Sequence, residues 1–284
     1  MAEFPSLMIE GITIPRVICG TNALLGYSHV SPGRDAWIRE HFTADRIAQV
    51  FAKCMELGVT AVMGPLVPRL IEALDEAEKL TGERMTWVST TNAGLVPKGR
   101  EEEAQKARAA GKLDEAKAIA RESTVEQLAA LKAAGAPICF FHGAWIDRWP
   151  VVDGRLAEFG RFTQMIRDAG LIPAAVSHDS QRLSEVAHGG YDLALLGTPV
   201  NMSGWNMRPT RDEAMEVIDK ADKPMLAIKT LACGRFEEHH IGDWLHWAAD
   251  VPGVDMIALG LMVEQEAEES IPLLRERFAA KFGQ

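Results

Sequence analysis

The stretch Ile138-Cys139-Phe140-Phe141-His142 carries the pattern that decides the fold, a short apolar run ended by one polar residue. A run that is apolar at every position is typical of a strand buried on both faces of a parallel sheet. A helix-like segment follows it. The same pattern recurs along the chain, and the polar residues that follow the other runs are Asn22, Thr90 and Thr91, His178, Asn201 and Lys229.

Eight such units of apolar run and helix alternate strictly, which favours a (β/α)8 barrel over an open doubly wound sheet. The predicted strands lie near 16–21, 59–63, 85–90, 137–142, 171–177, 191–197, 224–229 and 254–259. The predicted helices lie near 44–57, 67–80, 124–134, 155–169, 180–188, 211–221, 238–249 and 264–280. No glycine-rich phosphate-binding motif follows the first strand, which argues against a Rossmann domain. We expect residues 1–284 to form one barrel domain.

Glycines support these boundaries, because a glycine just after a helix is the usual left-handed stop. Gly58, Gly135, Gly170 and Gly253 each stand between a predicted helix and the next strand. In a parallel barrel every strand delivers its carboxyl end to the same rim. The polar residues after the strands should therefore converge there, which is the layout of an enzyme active site.

Three segments lie outside the regular repeat. Leu7–Ile14 is short and predicts a strand or hairpin that plugs the bottom of the barrel. Asn22–Phe42 is a long first βα loop, and loops of that length are usually lids or binding loops. Pro97–Glu122 is rich in Lys, Arg, Glu and Ala and predicts a helical excursion after the third strand, with a surface helix favoured over a lid or an oligomer contact.

Composition limits the partners and the compartment. The chain has 284 residues and a formal net charge of −10, which disfavours nucleic acid and acidic membranes as partners. No apolar run approaches the ~18 residues of a membrane span, and no secretory signal is present at the start. These features predict a soluble cytoplasmic protein with a small-molecule substrate; a homo-oligomer is left open. The cysteines Cys19, Cys54 and Cys139 fall in predicted strands or helices and are expected to be buried free thiols.

The ordered combination of motifs resembles the aldo-keto reductase superfamily. The matching pieces are Ile14–Asn22 for the first strand, Glu56–Thr60 for the approach to the second, Ile138–His142 for the fourth, Ala174–His178 for the fifth, Lys223–Phe236 for the seventh and Val254–Gly260 for the last. The resemblance covers most of the chain. It implies an aldo-keto-reductase-type barrel, and it implies that His142 corresponds to the catalytic histidine of the family.

The departures from the family pattern bear on activity. The resemblance implies NADPH-dependent carbonyl reduction through an Asp, Tyr, Lys and His set, yet the segment Val62–Pro68 holds neither the Asp nor the Tyr. Thr91 stands where the Lys is expected. Loss of the tyrosine removes the general acid, and Tyr27 is the one other phenol expected near the rim. On the cofactor side, Arg235 resembles a remnant phosphate contact, while carboxylates follow the last strand, where phosphates would need donors.

His142 and His178 end neighbouring predicted strands, so we predict that they form an acid/base pair. With His29 and Asp179 they could instead form a divalent metal site, because imidazole and carboxylate suit Zn, Mn or Fe(II). Lys229 is expected to bind an anion or stabilise an oxyanion rather than form a Schiff base. The loop residue Cys233 is expected to be a packed thiol rather than a nucleophile.

Further polar and aromatic residues near the rim suit a polyhydroxylated or cyclic ligand. The predicted substrate-binding residues are Asn22, His29, Thr91, Trp145, Asn201, Trp205 and Arg235. The favoured hypothesis is an enzyme that performs elimination, hydration or isomerisation on a small polar carbonyl or sugar-like compound without a dinucleotide. The alternatives are a divergent NADP-dependent reductase, with Tyr27 or His142 as proton donor, and a non-catalytic ligand-binding protein.

Overall fold

Eight parallel strands close into a barrel in the computed structural model, which describes residues 4–91, 100–149, 151–153, 155–235 and 240–283. The barrel strands are β3 (Val17–Gly20), β4 (Ala61–Pro65), β5 (Thr86–Thr90), β6 (Ile138–Phe141), β9 (Ile172–Val176), β10 (Leu195–Pro199), β11 (Met225–Ile228) and β12 (Met256–Gly260). Each strand pairs with the next barrel strand along the chain, and β12 pairs with β3 to close the ring. The predicted (β/α)8 barrel is confirmed.

Helices alternate with the barrel strands and surround them. They are α3 (Ala44–Glu56), α4 (Pro68–Thr81), α6 (Leu113–Ala133), α8 (Phe159–Asp168), α9 (Ser180–His188), α10 (Arg211–Asp219), α11 (Ile241–Asp250) and α12 (Glu264–Phe282). In the described part of the chain, four further helices lie in the loops: α1 (Asn22–Leu25), α2 (Pro32–His41), α5 (Arg100–Ala109) and α7 (Gly143–Ile146). The predicted helical excursion is thus present as α5 and the first turns of α6.

The core has two layers, as the buried strands require. Side chains such as Ile18, Val88 and Phe140 fill the barrel interior, and the larger layer lies between the strands and the outer helices. The predicted N-terminal plug is a hairpin of β1 (Ser6–Ile9) and β2 (Ile12–Pro15). Ile9 and Ile14 belong to the interior layer, so the hairpin closes the bottom of the barrel.

The four predicted glycine stops are confirmed by their backbone angles. Gly58, Gly135, Gly170 and Gly253 have φ of 86°, 86°, 73° and 80°. A side chain in this left-handed conformation is strained, whereas glycine adopts it freely. Within the described residues, no helix is both long and apolar enough to span a membrane.

The sixth strand begins four residues later than the predicted 191–197, at Leu195. Tyr191 and Asp192 precede the strand and contact residues outside the barrel. The Tyr191 ring packs edge-on against Phe159 at 4.9 Å, and Asp192 accepts from Arg167 at 2.7 Å. Local apolar patterning does not reveal such contacts.

The helix predicted at 155–169 also starts late, at Phe159. A small hairpin of β7 (Val151–Val152) and β8 (Arg155–Leu156) precedes it. Just before the hairpin, Trp149 is buried against Phe141 and Phe159. Trp149 therefore packs in the core.

Candidate active site

The two histidines predicted to pair follow neighbouring strands at the carboxyl end of the barrel. His142 follows β6, and His178 lies two residues after the end of β9, which pairs with β6. The residue after His142 must be small, because a Cβ placed on Gly143 would lie 2.7 Å from Cε1 of His178. The ring of His178 thus rests directly against the backbone that carries His142.

Asp147 is the residue that organises this pair. Its Oδ2 accepts from Nδ1 of His178 at 2.9 Å and from Nη2 of Arg208 at 2.6 Å. Its Oδ1 accepts from the backbone N–H of His178 at 2.9 Å and from the hydroxyl of Ser177 at 2.8 Å. Four donors converge on one carboxylate whose side chain is only 9% exposed.

The charge state of Asp147 decides the tautomer of His178. Burial alone would raise the pKa of Asp147, but the hydrogen bonds from His178 and Ser177 and the charge of His178 outweigh it and lower the pKa. The ionised carboxylate can only accept, so Nδ1 of His178 carries a proton. Nε2 of a neutral His178 is then the basic nitrogen, which is the geometry of an oriented general base.

His142 is suited to the complementary role. Its Nδ1 accepts from the backbone N–H of Ala144 at 3.1 Å, as the N-cap of α7, so its neutral ring carries the proton on Nε2. Burial, together with the charges of His178 and Lys229, lowers the pKa of His142 to about 4. At neutral pH it is a hydrogen-bond donor without a positive charge.

The depressed pKa of His142 predicts a pH-dependent stability. The unfolded chain, with a pKa of about 6.5, binds a proton between pH 6.5 and 4 that the folded protein does not bind at His142. The free energy of unfolding should therefore fall as the pH drops through this window, by up to roughly 3 kcal/mol from His142 alone. Below about pH 4 this contribution levels off.

His142→Asn keeps a capping acceptor and removes the titration. Urea denaturation at about pH 7.5 and about pH 4.5 should show a smaller pH-dependent loss in this variant than in the wild type. The exposed His188→Asn serves as the control and should behave as the wild type. An identical loss in His142→Asn and the wild type would contradict the assignment.

Lys229 and His29 form a second group at the rim. Nζ of Lys229 lies 2.9 Å from Nε2 of His29, although the two residues are 200 positions apart in the chain. Burial lowers the pKa of Lys229. Partial burial and the charge of Lys229 lower the pKa of His29 to about 4. Since His29 is exposed as a whole, we expect its titration to affect stability less than that of His142.

Trp205 and Arg235 complete the second group. The Arg235 guanidinium carbon lies 4.3 Å from the Trp205 ring centroid, and Lys229 Nζ lies 5.6 Å from it. His29 meets the same ring edge-on at 5.9 Å. Arg235 also donates to the backbone carbonyl of His29 at 2.6 Å. These contacts connect the long first loop to the loop after β11.

The long first loop has a more regular structure than predicted. The pair Ser31-Pro32 starts α2, where the Ser31 hydroxyl accepts from the Arg34 backbone N–H. Asn22 and Tyr27 lie at the start of the same loop with exposed side chains, and Tyr27 is 45% exposed. Their roles toward a substrate remain predictions.

Three predicted site residues are occupied by structural contacts. The Asp179 carboxylate caps α9, accepting from the backbone N–H groups of Gln181 and Arg182. The hydroxyl of Thr91 is buried and accepts from the backbone N–H of His142 at 3.1 Å. The polar atoms of Asp179 and Thr91 thus contact the protein itself. The third residue is Asn201.

Asn201 is fully buried, and its amide closes the loop that carries Trp205. Oδ1 accepts from the backbone N–H of Trp205 at 2.8 Å, and Nδ2 donates to the Trp205 carbonyl at 2.9 Å. Asn201 and Thr91 thus hold Trp205 and His142 in place, whereas direct substrate contacts were predicted for both. Their polar atoms are engaged by the protein itself.

The predicted metal set is not assembled. Among the described residues, no group of three or more His, Cys, Asp or Glu is placed to hold a metal ion. His142, His178 and His29 are near one another, but the carboxylate of Asp179 accepts hydrogen bonds from the first turn of α9.

The same region holds Cys233, where burial raises the thiol pKa and disfavours a thiolate nucleophile.

Trp145 follows His142 on α7. Its indole Nε1 is buried and has no hydrogen-bond partner within the described residues. A buried indole N–H without a partner is uncommon, so Trp145 stays a candidate for substrate binding. By contrast, Cys19, Cys54 and Cys139 are buried free thiols, as predicted.

Asp147 and Arg208 are site residues that the sequence patterns did not reveal. Asp147 ends the short helix that begins after His142, and Arg208 lies in the loop after β10. The only sequence signal was the position of Asp147 five residues after a strand-ending histidine, in a segment expected to reach the rim. Arg208 carries no such signal, because its partner lies 61 residues away.

The end of β4, where the resemblance implies an Asp, is closely packed. A Cβ on Gly64 would lie 2.3 Å from the Thr21 hydroxyl and 2.7 Å from Leu70. The Gly64 carbonyl accepts from the buried indole of Trp87 at 2.9 Å. Gly64 therefore leaves no room for a side chain.

Comparison with solved structures shows the same fold in aldo-keto reductases. One is an aldo-keto reductase from Bacillus halodurans in its holo form, with a TM-score of 0.61, 9% identity and coverage of 98% of this chain and 96% of the other. Another is from Brucella melitensis, with a TM-score of 0.57, 12% identity and coverage of 96% and 93%. No family model and no curated protein matches the sequence.

A third solved structure, a thermostable aldo-keto reductase in complex with the inhibitor epalrestat, has a TM-score of 0.58 and 15% identity. The match covers 97% of this chain and 99% of the other chain. At these identities the likeness concerns the fold. The resemblance seen in the sequence motifs is confirmed at that level, over nearly the whole chain.

Proposed function

We propose that this barrel is an enzyme that transfers protons on a small polar carbonyl or sugar-like compound, by elimination, hydration or isomerisation. The observation that carries the proposal is the 2.9 Å bond between His178 Nδ1 and Asp147. A carboxylate that fixes one imidazole nitrogen leaves the other oriented as a general base. The barrel itself adds little, since one fold hosts many chemistries.

Each group has a distinct role in the proposal. Nε2 of His178 removes a proton from the carbon next to the substrate carbonyl. The Nε2–H of neutral His142 donates a hydrogen bond to the carbonyl oxygen as negative charge develops there. The charge of Lys229 stabilises the same oxyanion, and its effect is large because the site is partly buried.

Solvent deuterium exchange tests proton abstraction without knowledge of the complete reaction. A panel of small hydroxy- and oxo-carbonyl compounds is incubated with the protein in D2O, and loss of the proton next to the carbonyl is followed by NMR. Exchange above the buffer rate in at least one compound supports the proposal. If no compound exchanges while NADPH is oxidised with a carbonyl substrate, the proposal is wrong and the chain is a reductase.

Gly143→Ala provides a test of the ring position of His178. The new methyl group would lie under 3.0 Å from two atoms of that ring, so the ring must move and its bond to Asp147 weakens. We expect an exchange rate lower by about 10- to 100-fold with the fold retained, since small misplacements carry such costs. Gly160→Ala is the matched control, because its nearest contact is 3.6 Å away. Equal rates in both variants would mean that His178 is not the base.

The likeness to aldo-keto reductases favours one second candidate, a divergent NADP-dependent reductase in which Tyr27 or His142 donates the proton. Against it stands the start of α12, which the resemblance places at the dinucleotide phosphates. There the backbone N–H of Met262 already donates to the Glu266 carboxylate at 2.6 Å, and Glu264 is also in the first turn. A helix N-terminus with two carboxylates in its own first turn is poorly suited to a phosphate.

We therefore expect NADPH and NADH to bind weakly or not at all. The measurement is a fluorescence titration, in which the tryptophans are excited and energy transfer to the bound nicotinamide is followed. Glu266→Gln is informative, because removal of a carboxylate should raise any residual NADPH affinity. A low-micromolar Kd for the wild type would restore the reductase assignment.

A further inference from the structure

We infer that the substrate of this site carries an anionic group, a carboxylate or a phosphate, and that Arg235 and Lys229 bind this group beside Trp205. The inference rests on the proposed function in that it assigns a substrate class to the same site. It adds a recognition element to the proton-transfer residues. Two neighbouring cations, the fixed position of the Arg235 guanidinium and the strained backbone of the loop support it.

Among the described residues, the two cations have no carboxylate in ion-pair contact. Within residues 4–91, 100–149, 151–153, 155–235 and 240–283, neither Arg235 nor Lys229 forms an ion pair with an Asp or Glu. Arg208, at the same rim, is paired with Asp147 at 2.6 Å. The protein has 40 acidic and 30 basic residues, so carboxylates are in excess. Two neighbouring cations with no ion-pair partner among the described residues, in a chain with an excess of carboxylates, support the binding of an anion from outside.

The guanidinium of Arg235 is held ready for a ligand. Nη2 donates to the His29 carbonyl at 2.6 Å and Nη1 to the Ala232 carbonyl at 3.2 Å, while the Trp205 ring lies 4.3 Å away. A guanidinium has five N–H groups, so several stay available after these two bonds. A planar group with its rotation restrained can bind a carboxylate or phosphate through two parallel hydrogen bonds.

Lys229 connects this anion position to the proton-transfer residues. Its ammonium has three donors, and the contact with His29 uses one of them. Its charge also helps to lower the pKa of His142, which places it within electrostatic reach of that ring. A compound with its anionic group at Arg235 would therefore present a nearby carbonyl to Lys229 and His142.

The backbone of the loop is strained where it presents these groups. Lys229, Ala232 and Cys233 have φ of 56°, 45° and 55°, and His29, which touches Lys229, has φ of 59°. Left-handed conformations are rare for residues other than glycine and cluster at binding and catalytic sites. Four of them around one pair of cations support a role in binding.

Matched pairs of probes test the inference by binding alone. Pyruvate is compared with pyruvamide, and glyceraldehyde 3-phosphate with glyceraldehyde, so that each pair differs in charge and keeps its carbonyl. Affinities are measured at low ionic strength from chemical-shift changes in the protein, for the wild type and for Arg235→Gln. Arg161→Gln, on the exposed face of α8, has the same change in charge and is the control.

We expect at least one anionic probe to bind the wild type about tenfold or more tightly than its neutral partner. Arg235→Gln should abolish this preference, Arg161→Gln should keep it, and Arg235→Lys should retain part of it because the charge remains. The better of the two pairs identifies a carboxylate or a phosphate as the recognised group. Unchanged melting temperatures would show that the variants are folded.

Equal binding within both pairs, or a preference that survives Arg235→Gln, overturns the inference. So does a tight NADPH complex that is lost in Arg235→Gln, because the arginine would then bind a cofactor phosphate. His178→Ala should keep the anion preference, since it leaves both cations in place. A preference for anionic probes without deuterium exchange would support the inference and contradict the proposed function. Deuterium exchange without a preference for anionic probes would support the proposed function and contradict the inference.

Discussion

His178→Ala is expected to reduce the rate of deuterium exchange at the substrate carbon by about 10²- to 10⁴-fold, the usual contribution of a general base. The reason is that Nε2 of His178 is the nitrogen left free when Nδ1 is fixed by Asp147 at 2.9 Å. The substitution also leaves the Asp147 carboxylate with its bonds from Arg208 and Ser177, so the fold should survive. The measurement is the NMR exchange rate with circular dichroism as the check on folding.

His188→Ala is the matched control, because His188 is an exposed histidine at the end of α9. It should exchange at the wild-type rate. A folded His178→Ala protein that retains nearly full activity on its substrate would place the site elsewhere on the rim, with Lys229 the next residue to test. An unfolded His178→Ala protein would instead assign the histidine a structural role.

Asp147→Asn is expected to reduce exchange by a similar factor, on the order of 10²- to 10³-fold, although Asp147 need not touch the substrate. The amide cannot both accept from His178 Nδ1 and neutralise Arg208, so the protonated nitrogen and the ring orientation of His178 are no longer fixed. Asp147 is a positioning residue in this scheme. The same hydrogen bonds lower its pKa, so the wild-type carboxylate is ionised throughout the neutral range.

The readout that separates positioning from simple destabilisation is the pH profile of exchange. Asp147→Asn should lower the rate and change its dependence on pH, because the site loses the negative charge of the carboxylate. Arg208→Gln, which removes a half-exposed partner of the same carboxylate, should have a smaller effect. An unchanged profile with a uniformly lower rate and a lower melting temperature would indicate loss of stability alone.

Much of the fold followed from the sequence because its signals are local. The apolar runs predicted seven of the eight strands to within two residues at each end, and the glycines marked the helix ends. The start of β10 was predicted too early, because Tyr191 packs against Phe159 outside the barrel. The hairpin before α8 was not predicted, and Trp149 beside it packs against Phe141. Such contacts leave no periodic trace in the chain.

For the site, sequence reasoning depended on strand order. Because parallel barrel strands are adjacent in chain order, the nearness of His142 and His178 could be predicted from the sequence. The same reasoning assigned Thr91, Asn201 and Asp179 to the rim. Strand order does not predict the direction in which each side chain points. All three use their polar atoms on the protein itself.

The sequence by itself determined the barrel, its rim and the histidine pair, because hydrophobic periodicity and strand adjacency depend only on the order of residues. Only the tertiary structure decided that Asp147 holds His178 and that Lys229 meets His29 across 200 positions of chain. It also set the pKa of His142 to about 4. Hydrogen bonds and pKa values change over fractions of an ångström and with local burial, and those quantities exist only once the chain has folded.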